Sequence, residues 1–457
     1  MVVKDDAWPV ARLIPITSAS GVEANERRAA SALLAVIGAV DEFGRTLLKP
    51  LGAPAGRIQS FIEVPFKSNG RAIRPDGIIT VTRAGKTWGA IVETKIGSSQ
   101  LQPEQIDAYL DLARELDFNA VLSISNQYVT SSTAYPIDVD KRKTKRVALY
   151  HWSWVDVLTE AVVQREHRGV NDPDQAYILQ ELIRYLSDPR SGAVALESMG
   201  PTWIKVKDGA RENTLRKTDP DVAALAARWD DLIRYLGLEL TKDLGRSVTQ
   251  VLGREERTPS ERLAVLKDSL ADNGRLYAEL QVPDVAGRLE VMADLRSRQV
   301  IVSTRIDAPK DGRSRGRVSW LLRQLQNAPD NLTLEARVAR SQTSLAAPLA
   351  QVRENPELLY PEQGKEIRQF VLSLTRNMGL KKDASKGSFI DSVVSTTKDH
   401  YADVLQNLRA WKATPPKLKK PPEEESVEEA TELPPPVRDA IEDAQSEMVA
   451  QSADAPE

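Results

Sequence analysis

The sequence has no cysteine, and this absence narrows the possible chemistry before any motif is considered. The 457-residue chain forms no disulfide and no cysteine-based zinc or iron–sulfur centre. Its three histidines, His151, His167 and His400, have no metal-ligand spacing, so each is interpreted as a surface or structural residue. No apolar run approaches membrane-spanning length, and the N-terminus has no secretory pattern. A cytoplasmic location without a membrane partner is therefore expected.

Charge is distributed unevenly along the chain. From Ala413 onward there are 4 Lys and Arg residues and 12 Asp and Glu residues, so this segment has a net charge of −8 and residues 1–412 have a net charge of +5. Residues 413–457 are also poor in aromatics, which predicts a disordered acidic tail. The 41% hydrophobic and 28% charged residues of the whole chain are typical of a soluble globular protein, and its length predicts two or more domains. We expect these domains at residues 1–200 and 218–412, joined by a linker at 201–217.

Two β-rich runs joined by a glycine turn indicate a hairpin at residues 78–95. Asp76 precedes the first strand, and Glu93 and Lys95 lie near the end of the second. Because residues two apart leave the same face of a strand, Glu93 and Lys95 should project together and Thr94 should point away from them. The hairpin can bring Asp76 alongside this pair.

An amphipathic helix is predicted at residues 103–116, where proline stands first and apolar residues recur at helical spacing. Gln105 and Tyr109 are four residues apart and share one face of this helix. A buried strand at 119–125 follows. Strand, hairpin, helix and strand in this order predict a mixed sheet with a crossover helix.

Asp76, Glu93 and Lys95 are residue types that a metal-dependent phosphodiester-cleaving site requires. Two carboxylates hold a hard cation and leave positions for water and a phosphate oxygen. An ammonium beside them can orient the attacking water and stabilise developing negative charge. The alternative for Glu93 and Lys95 is a solvated pair at a strand end. For Gln105 and Tyr109 the alternatives are exposure to water and ordinary packing.

This arrangement resembles the PD-(D/E)XK nuclease superfamily, whose signature is a Pro-Asp or similar pair followed on the next strand by Glu-x-Lys or Asp-x-Lys. Pro75-Asp76 and Glu93-Thr-Lys95 match that signature, and Gln105-x-x-x-Tyr109 is similar to the helix motif of the RecB-like subgroup. The resemblance covers about the first two-fifths of the chain. It implies a restriction-endonuclease-like α/β domain with a mixed central sheet flanked by helices.

The resemblance also implies roles for individual residues. The two carboxylates would bind Mg²⁺ or Mn²⁺, the lysine would assist the nucleophile, and the glutamine and tyrosine would arrange the site and the substrate. Such folds often add a glutamate from the first helix, for which Glu26 is our candidate and Glu23 the alternative. The predicted catalytic set is Glu26, Asp76, Glu93, Lys95, Gln105 and Tyr109, with Asp76 and Glu93 as metal ligands.

Two dense basic segments are candidates for sequence-independent contact with nucleic-acid phosphates. A solvated charge run is the alternative for each. The second of these segments lies at residues 310–317. The first, nearer the N-terminus, consists of Lys141, Arg142, Lys143, Lys145 and Arg146. Two tryptophans, Trp152 and Trp154, follow the first basic segment. They would either stack on nucleic-acid bases or pack in the core, which is the more common place for a tryptophan near a strand.

Residues 218–412 predict an α+β domain without a catalytic motif, which would serve recognition, dimerisation or partner binding. The expected elements are helices at 221–236, 260–272, 316–325 and 361–378, an antiparallel meander between residues 276 and 305, and a strand at 332–339.

The sequence as a whole predicts a Mg²⁺-dependent nuclease that hydrolyses DNA, in DNA repair or in defence against foreign DNA. The alternative is a catalytically silent nuclease-like fold that binds DNA or a partner protein. Since a chain without catalysis has no chemical reason to keep two acids and a lysine at this spacing, the first interpretation is favoured.

Overall fold

The first half of the chain forms a five-stranded mixed sheet with helices on both faces. The structure is a computed structural model that describes residues 8–14, 21–68, 71–97, 99–128, 135–193, 196–256, 258–339, 341 and 344–412. The helices of this half are α1 (Gly21–Ala39), α2 (Asp41–Leu48), α3 (Pro103–Glu115), α4 (Trp154–Val162) and α5 (Pro173–Ser187). Its strands are β1 (Arg57–Ile62), β2 (Phe66–Ser68), β3 (Arg71–Ile73), β4 (Gly77–Arg83), β5 (Lys86–Thr94), β6 (Ala120–Ser125) and β7 (Ala148–Ser153).

The strand order of this sheet is β1-β4-β5-β6-β7, while β2 and β3 form a separate ribbon. β1, β4 and β5 are antiparallel, whereas β5, β6 and β7 are parallel. Helix α3 lies between β5 and β6 in the chain, as a parallel connection requires. The mixed sheet and crossover helix predicted from the sequence are thus confirmed. Ala84 and Gly85 form the β4–β5 turn with φ of 47° and 74°, the left-handed backbone of a two-residue hairpin turn.

The two faces of this sheet bury different side chains because residues alternate along each strand. One face packs against α1, α4 and α5, and the other packs against α3. On the α3 face, Glu93, Ser123 and His151 occupy one row across β5, β6 and β7, and they are partners in the parallel register. A row of polar side chains therefore crosses the carboxyl ends of the three parallel strands.

The second half forms a seven-stranded antiparallel sheet of order β13-β12-β14-β11-β10-β9-β8, which shares one core with its helices. The helices are α6 (Trp203–Glu212), α7 (Pro220–Leu244), α8 (Pro259–Asn273), α9 (Ser314–Gln324), α10 (Leu349–Glu354) and α11 (Phe389–Asp403). The strands are β8 (Thr249–Val251), β9 (Arg275–Gln281), β10 (Leu289–Asp294), β11 (Gln299–Asp307), β12 (Thr333–Val338), β13 (Ser344–Pro348) and β14 (Ile367–Asn377).

The predicted helix at 361–378 is wrong, because this segment contains strand β14. The apolar residues Ile367, Phe370, Val371 and Leu374 happen to fit helical spacing. In the structure, β14 pairs with β11 along one edge and with β12 along the other. Pairing on both edges, which the local pattern does not encode, decides the conformation. By contrast, the meander β9–β11 and helices α7, α8 and α9 confirm the predicted elements.

Residues 201–217, predicted to be a linker, contain helix α6. Trp203 of α6 is fully buried in the core of the second sheet, and its indole donates to the Leu380 carbonyl at 2.9 Å. The two halves also contact each other directly through Arg234 of α7 and Asp156 of α4, whose charged atoms lie 2.7 Å apart. Residues up to Trp411 accordingly cluster into one compact unit.

Two further expectations concern the tail and the membrane. The tail predicted at 413–457 lies outside the described residues. Within the described part of the chain, no helix combines the length and the apolar character needed to cross a bilayer.

Phe370→Ala tests whether β14 packs in the core of the seven-stranded sheet. Phe370 is fully buried, so the variant should lower the free energy of unfolding by about 3–5 kcal/mol, measured by urea denaturation. Arg368→Ala, at an exposed position of the same strand, should change it by less than about 0.5 kcal/mol. Equal effects at the two positions would contradict this packing.

Candidate active site

All six residues of the predicted catalytic set meet at the carboxyl end of β5. They come from four parts of the chain that the fold brings together: helix α1, the segment before β4, the end of β5, and helix α3. The residues are Glu26 from α1, Asp76 before β4, Glu93 in β5, Lys95 directly after it, and Gln105 and Tyr109 from α3.

Asp76 and Glu93 face each other because of the hairpin register. Gly77 pairs with Val92, so the preceding Asp76 stands opposite Glu93. The Asp76 Oδ2 atom accepts hydrogen bonds from the Thr94 backbone N–H at 2.7 Å and from the Thr94 hydroxyl at 2.8 Å. Thr94 was expected to point away from the site, but its hydroxyl contacts Asp76. The reason is that β4 begins only at Gly77, so the Asp76 side chain takes the place of a strand partner for Thr94.

Glu93 is held at both oxygens. The Lys95 ammonium donates to Oε1 at 2.6 Å, and the Tyr109 hydroxyl donates to Oε2 at 2.8 Å. The Gln105 amide donates in turn to the Tyr109 oxygen at 3.0 Å. One turn of α3 thus presents Gln105 and Tyr109 together, as their spacing predicts. Only 1% of Glu93 is exposed, so its ion pair with Lys95 is not a solvated pair at a strand end.

Of the two candidate glutamates in α1, Glu26 lies at the site. Its Oε2 is 3.8 Å from the Lys95 ammonium, and its Oε1 accepts from the Ile96 backbone N–H at 3.4 Å. Glu23 instead pairs with Arg27 at 2.7 Å on the surface. Residues three apart in a helix differ by only about 60° around its axis. Glu23 therefore differs from Glu26 mainly in lying one turn nearer the exposed start of α1.

Burial dominates the electrostatics of this cluster. It raises the pKa of Asp76, and it raises the pKa of Glu93 to about 7 with a further contribution from the charge of Asp76. Burial alone would lower the pKa of Lys95, but Glu93, Asp76 and Glu26 together outweigh burial, and the pKa is raised. With Glu26, three carboxylates share one ammonium, so the fully ionised cluster carries −2.

A second hydrogen-bond chain continues the polar row beyond Glu93. His151 Nε2 lies 3.0 Å from the Gln127 carbonyl, which only accepts, so this nitrogen carries the proton. Burial lowers the pKa of His151, so Nδ1 of the neutral ring accepts from the Ser123 hydroxyl at 2.7 Å. The Ser123 oxygen accepts from the Tyr135 hydroxyl at 2.6 Å. Sequence reasoning missed Ser123. Ser123 occupies the position in β6 that is equivalent to Glu93 in β5.

The first basic segment is only partly free. Lys141, Arg142, Lys145 and Arg146 are exposed. Lys143 instead donates to the Asp111 carboxylate at 2.7 Å and to the Asp107 carbonyl at 3.1 Å, which ties the segment to α3. Four of the five predicted phosphate contacts are therefore accessible, and the fifth has a structural partner.

The second basic segment also contains a structural residue. Arg317 is only 5% exposed and donates to the carbonyl groups of Ile367 and Lys310, as well as to the Glu366 carboxylate. It connects α9 to β14 and is not available to a phosphate.

Comparisons of the chain with protein-family models, curated proteins and solved structures gave no match. Within the described ranges, no three His, Cys, Asp or Glu side chains are grouped so that they could hold a metal ion by themselves.

Glu93→Gln tests the cost of burying this carboxylate. Because folding raises the pKa of Glu93 from 4.5 to about 7, the folded protein holds the proton more tightly than the unfolded chain. The stabilisation is complete below the unfolded pKa and is lost as the pH rises through the folded one. Relative to the variant, the wild type should lose on the order of 3 kcal/mol of unfolding free energy between about pH 4 and about pH 8.

The measurement is urea denaturation across this pH range in metal-free buffer. Glu104→Gln, at an exposed position of α3, is the matched substitution. A wild-type minus Glu93→Gln difference that stays constant with pH would show that the carboxylate is not desolvated.

Proposed function

We propose that this protein is a metal-dependent nuclease that hydrolyses DNA phosphodiester bonds. The observation that carries the proposal is the meeting of Asp76, Glu93 and Lys95 at one buried strand end, with Glu26 beside the lysine. The resemblance of these residues to the PD-(D/E)XK superfamily, with its restriction-endonuclease-like fold, supports the same conclusion.

A purely structural role explains this cluster poorly. A surface ion pair contributes little to stability, and buried charges are costly unless each is compensated. Here burial raises the pKa values of both Asp76 and Glu93. The charge of Asp76 adds to the shift of Glu93, and the charge of Glu26 adds to that of Asp76, while one ammonium offsets all three carboxylates. Buried acids whose pKa values are perturbed in this way are typical of functional sites.

The cluster suits a divalent cation by charge and by donor type. Its ionised charge of −2 would be balanced by Mg²⁺ or Mn²⁺, and carboxylate oxygens are the ligands that these ions prefer. Asp76 and Glu93 would hold the ion, since the side-chain hydrogen bonds described for Asp76 all go to Oδ2 and leave Oδ1 for another ligand. When bound, the cation would offset charge on the phosphate and make water a better nucleophile.

The other side chains have distinct tasks in this proposal. Because Glu93 raises the pKa of Lys95, this side chain remains an ammonium at neutral pH, and it acts as a hydrogen-bond donor and not as a base. It orients the attacking water and stabilises negative charge that develops on the phosphate. Tyr109, oriented by Gln105, fixes the second oxygen of Glu93.

DNA is the proposed substrate because exposed cations lie on a segment that connects two strands of the same sheet. Lys141, Arg142, Lys145 and Arg146 precede β7, whose His151 shares a sheet row with Glu93. Exposed cationic side chains suit sequence-independent contact with phosphates. The proposed biological role is DNA repair or defence against foreign DNA, in the cytoplasm.

The first test is a nuclease assay with a panel of linear, circular and single-stranded DNA and RNA in Mg²⁺ or Mn²⁺. The wild type should cleave DNA, and chelation should stop cleavage. Lys95→Ala removes a donor aimed at the reacting phosphate, so it should lower kcat by about 100-fold or more. Asp76→Asn and Glu93→Gln should abolish activity.

Lys86→Ala is the matched control for the lysine variant, because Lys86 is exposed at the other end of the same strand. It should retain wild-type activity. A wild-type protein that is inert on every substrate would refute the proposal and favour a binding-only role.

The second test concerns DNA affinity. Replacing Lys141, Arg142, Lys145 and Arg146 with alanine should weaken binding and flatten its dependence on salt, by about 0.9 in the logarithmic slope for each lost phosphate contact. Lys143→Ala should leave the slope unchanged, because that ammonium is already paired with Asp111. Binding is measured by fluorescence anisotropy at several salt concentrations in the Lys95→Ala background. An unchanged slope in the fourfold variant would remove this segment from the interface.

A further inference from the structure

The backbone of Lys95 is held at two points just beyond the end of β5. Its N–H donates to the Ile124 carbonyl at 2.8 Å, which continues the pairing with β6. Its carbonyl accepts from the indole N–H of Trp154, also at 2.8 Å. The peptide that carries the lysine is therefore fixed by the neighbouring strand on one side and by a tryptophan from α4 on the other.

Trp154 is well suited to hold this carbonyl. Only 1% of Trp154 is exposed, and a buried indole needs an acceptor for its single N–H. The ring packs in the core between the sheet and α1, α4 and α5, so its position is rigid. Trp154 thus packs in the core, the more common of its two predicted environments, and also forms a hydrogen bond to the site.

The position of Trp154 depends on the start of α4. Trp154 is the first residue of this helix, which begins with a capping box: the Ser153 hydroxyl accepts from the Asp156 backbone N–H, and Asp156 Oδ2 accepts from the Ser153 N–H at 3.0 Å. The other oxygen of Asp156, Oδ1, accepts from Arg234 at 2.7 Å. Arg234 belongs to α7, which packs in the core of the second sheet.

We infer that Trp154 is a positioning residue for Lys95, and that Arg234 of the second half fixes the helix start from which Trp154 reaches it. The inference rests on the proposed function for its kinetic consequence, but the contact between Trp154 and Lys95 does not depend on that function. The second half thereby takes part in setting the geometry of the candidate active site.

The kinetic experiment uses the full chain and compares Trp154→Phe with Trp152→Phe. Phenylalanine keeps most of the ring packing at residue 154 but removes the N–H. Losing one such hydrogen bond should lower kcat by about tenfold and leave KM unchanged, since Lys95 would be displaced without loss of substrate contacts. Trp152 is half-buried at the edge of the same core, and its variant should keep the wild-type kcat.

An activity-independent measurement separates this inference from the proposed function. The rate of reductive methylation at Lys95, measured by mass spectrometry, reports how tightly its ammonium is held against Glu93. Trp154→Phe should raise this rate severalfold relative to the exposed Lys86 in the same sample, and Trp152→Phe should not. This result would support the inference even for a protein without nuclease activity.

Arg234→Met is the second variant, and it leaves the core side chains unchanged because Arg234 is partly exposed. It should raise the Lys95 methylation rate in the same direction, and combined with Trp154→Phe it should add less than the sum of the two effects, because both act through α4. A Trp154→Phe variant that keeps both the wild-type rate of Lys95 methylation and the wild-type kcat would overturn the inference. So would equal losses in the two tryptophan variants, which would indicate a general packing defect. If Trp154→Phe does not fold, an Arg234→Met protein with wild-type Lys95 reactivity would overturn it.

Discussion

The antiparallel register of β4 and β5 is the constraint on which the candidate site depends. The two-residue turn at Ala84 and Gly85 fixes that register, and the register places Asp76 opposite Glu93. Because side chains alternate along a strand, a slip of one residue would turn Glu93 from the α3 face to the opposite core. Seven residue pairs separate this turn from the two acids, yet the turn decides whether they meet.

Once the acids meet, the fold has to stabilise charge in a buried place. Donors from three directions converge on them: Thr94 from the strand, Lys95 beyond its end, and Tyr109 from α3. These contacts lower the proton affinity of the acids, yet burial still prevails and the pKa of Glu93 remains raised to about 7. If a cation binds there as proposed, it would offset this residual negative charge and stabilise the folded state by mass action.

Local patterns in the sequence identified much of this architecture, and non-local contacts account for what they missed. The hairpin, helix α3 and the facing pair Gln105 and Tyr109 follow from alternation and helical spacing, which are properties of neighbouring residues. Strand β14 was misassigned because its conformation depends on β11 and β12, far away in the sequence. The choice between Glu23 and Glu26 was open for the same reason: it depends on how α1 lies against the end of β5.

The relation between the two halves was the least predictable feature. Consecutive residues after β6 belong to different halves: the Gln127 carbonyl accepts from His151 in the first sheet, while Tyr128 packs against the core of the second. Asp156 of α4 likewise has its partner in α7. A chain cut near residue 200 would uncover Tyr128 and leave Asp156 without Arg234, so the first half would lose contacts that support the end of β7. The second half is therefore part of the framework of the candidate site.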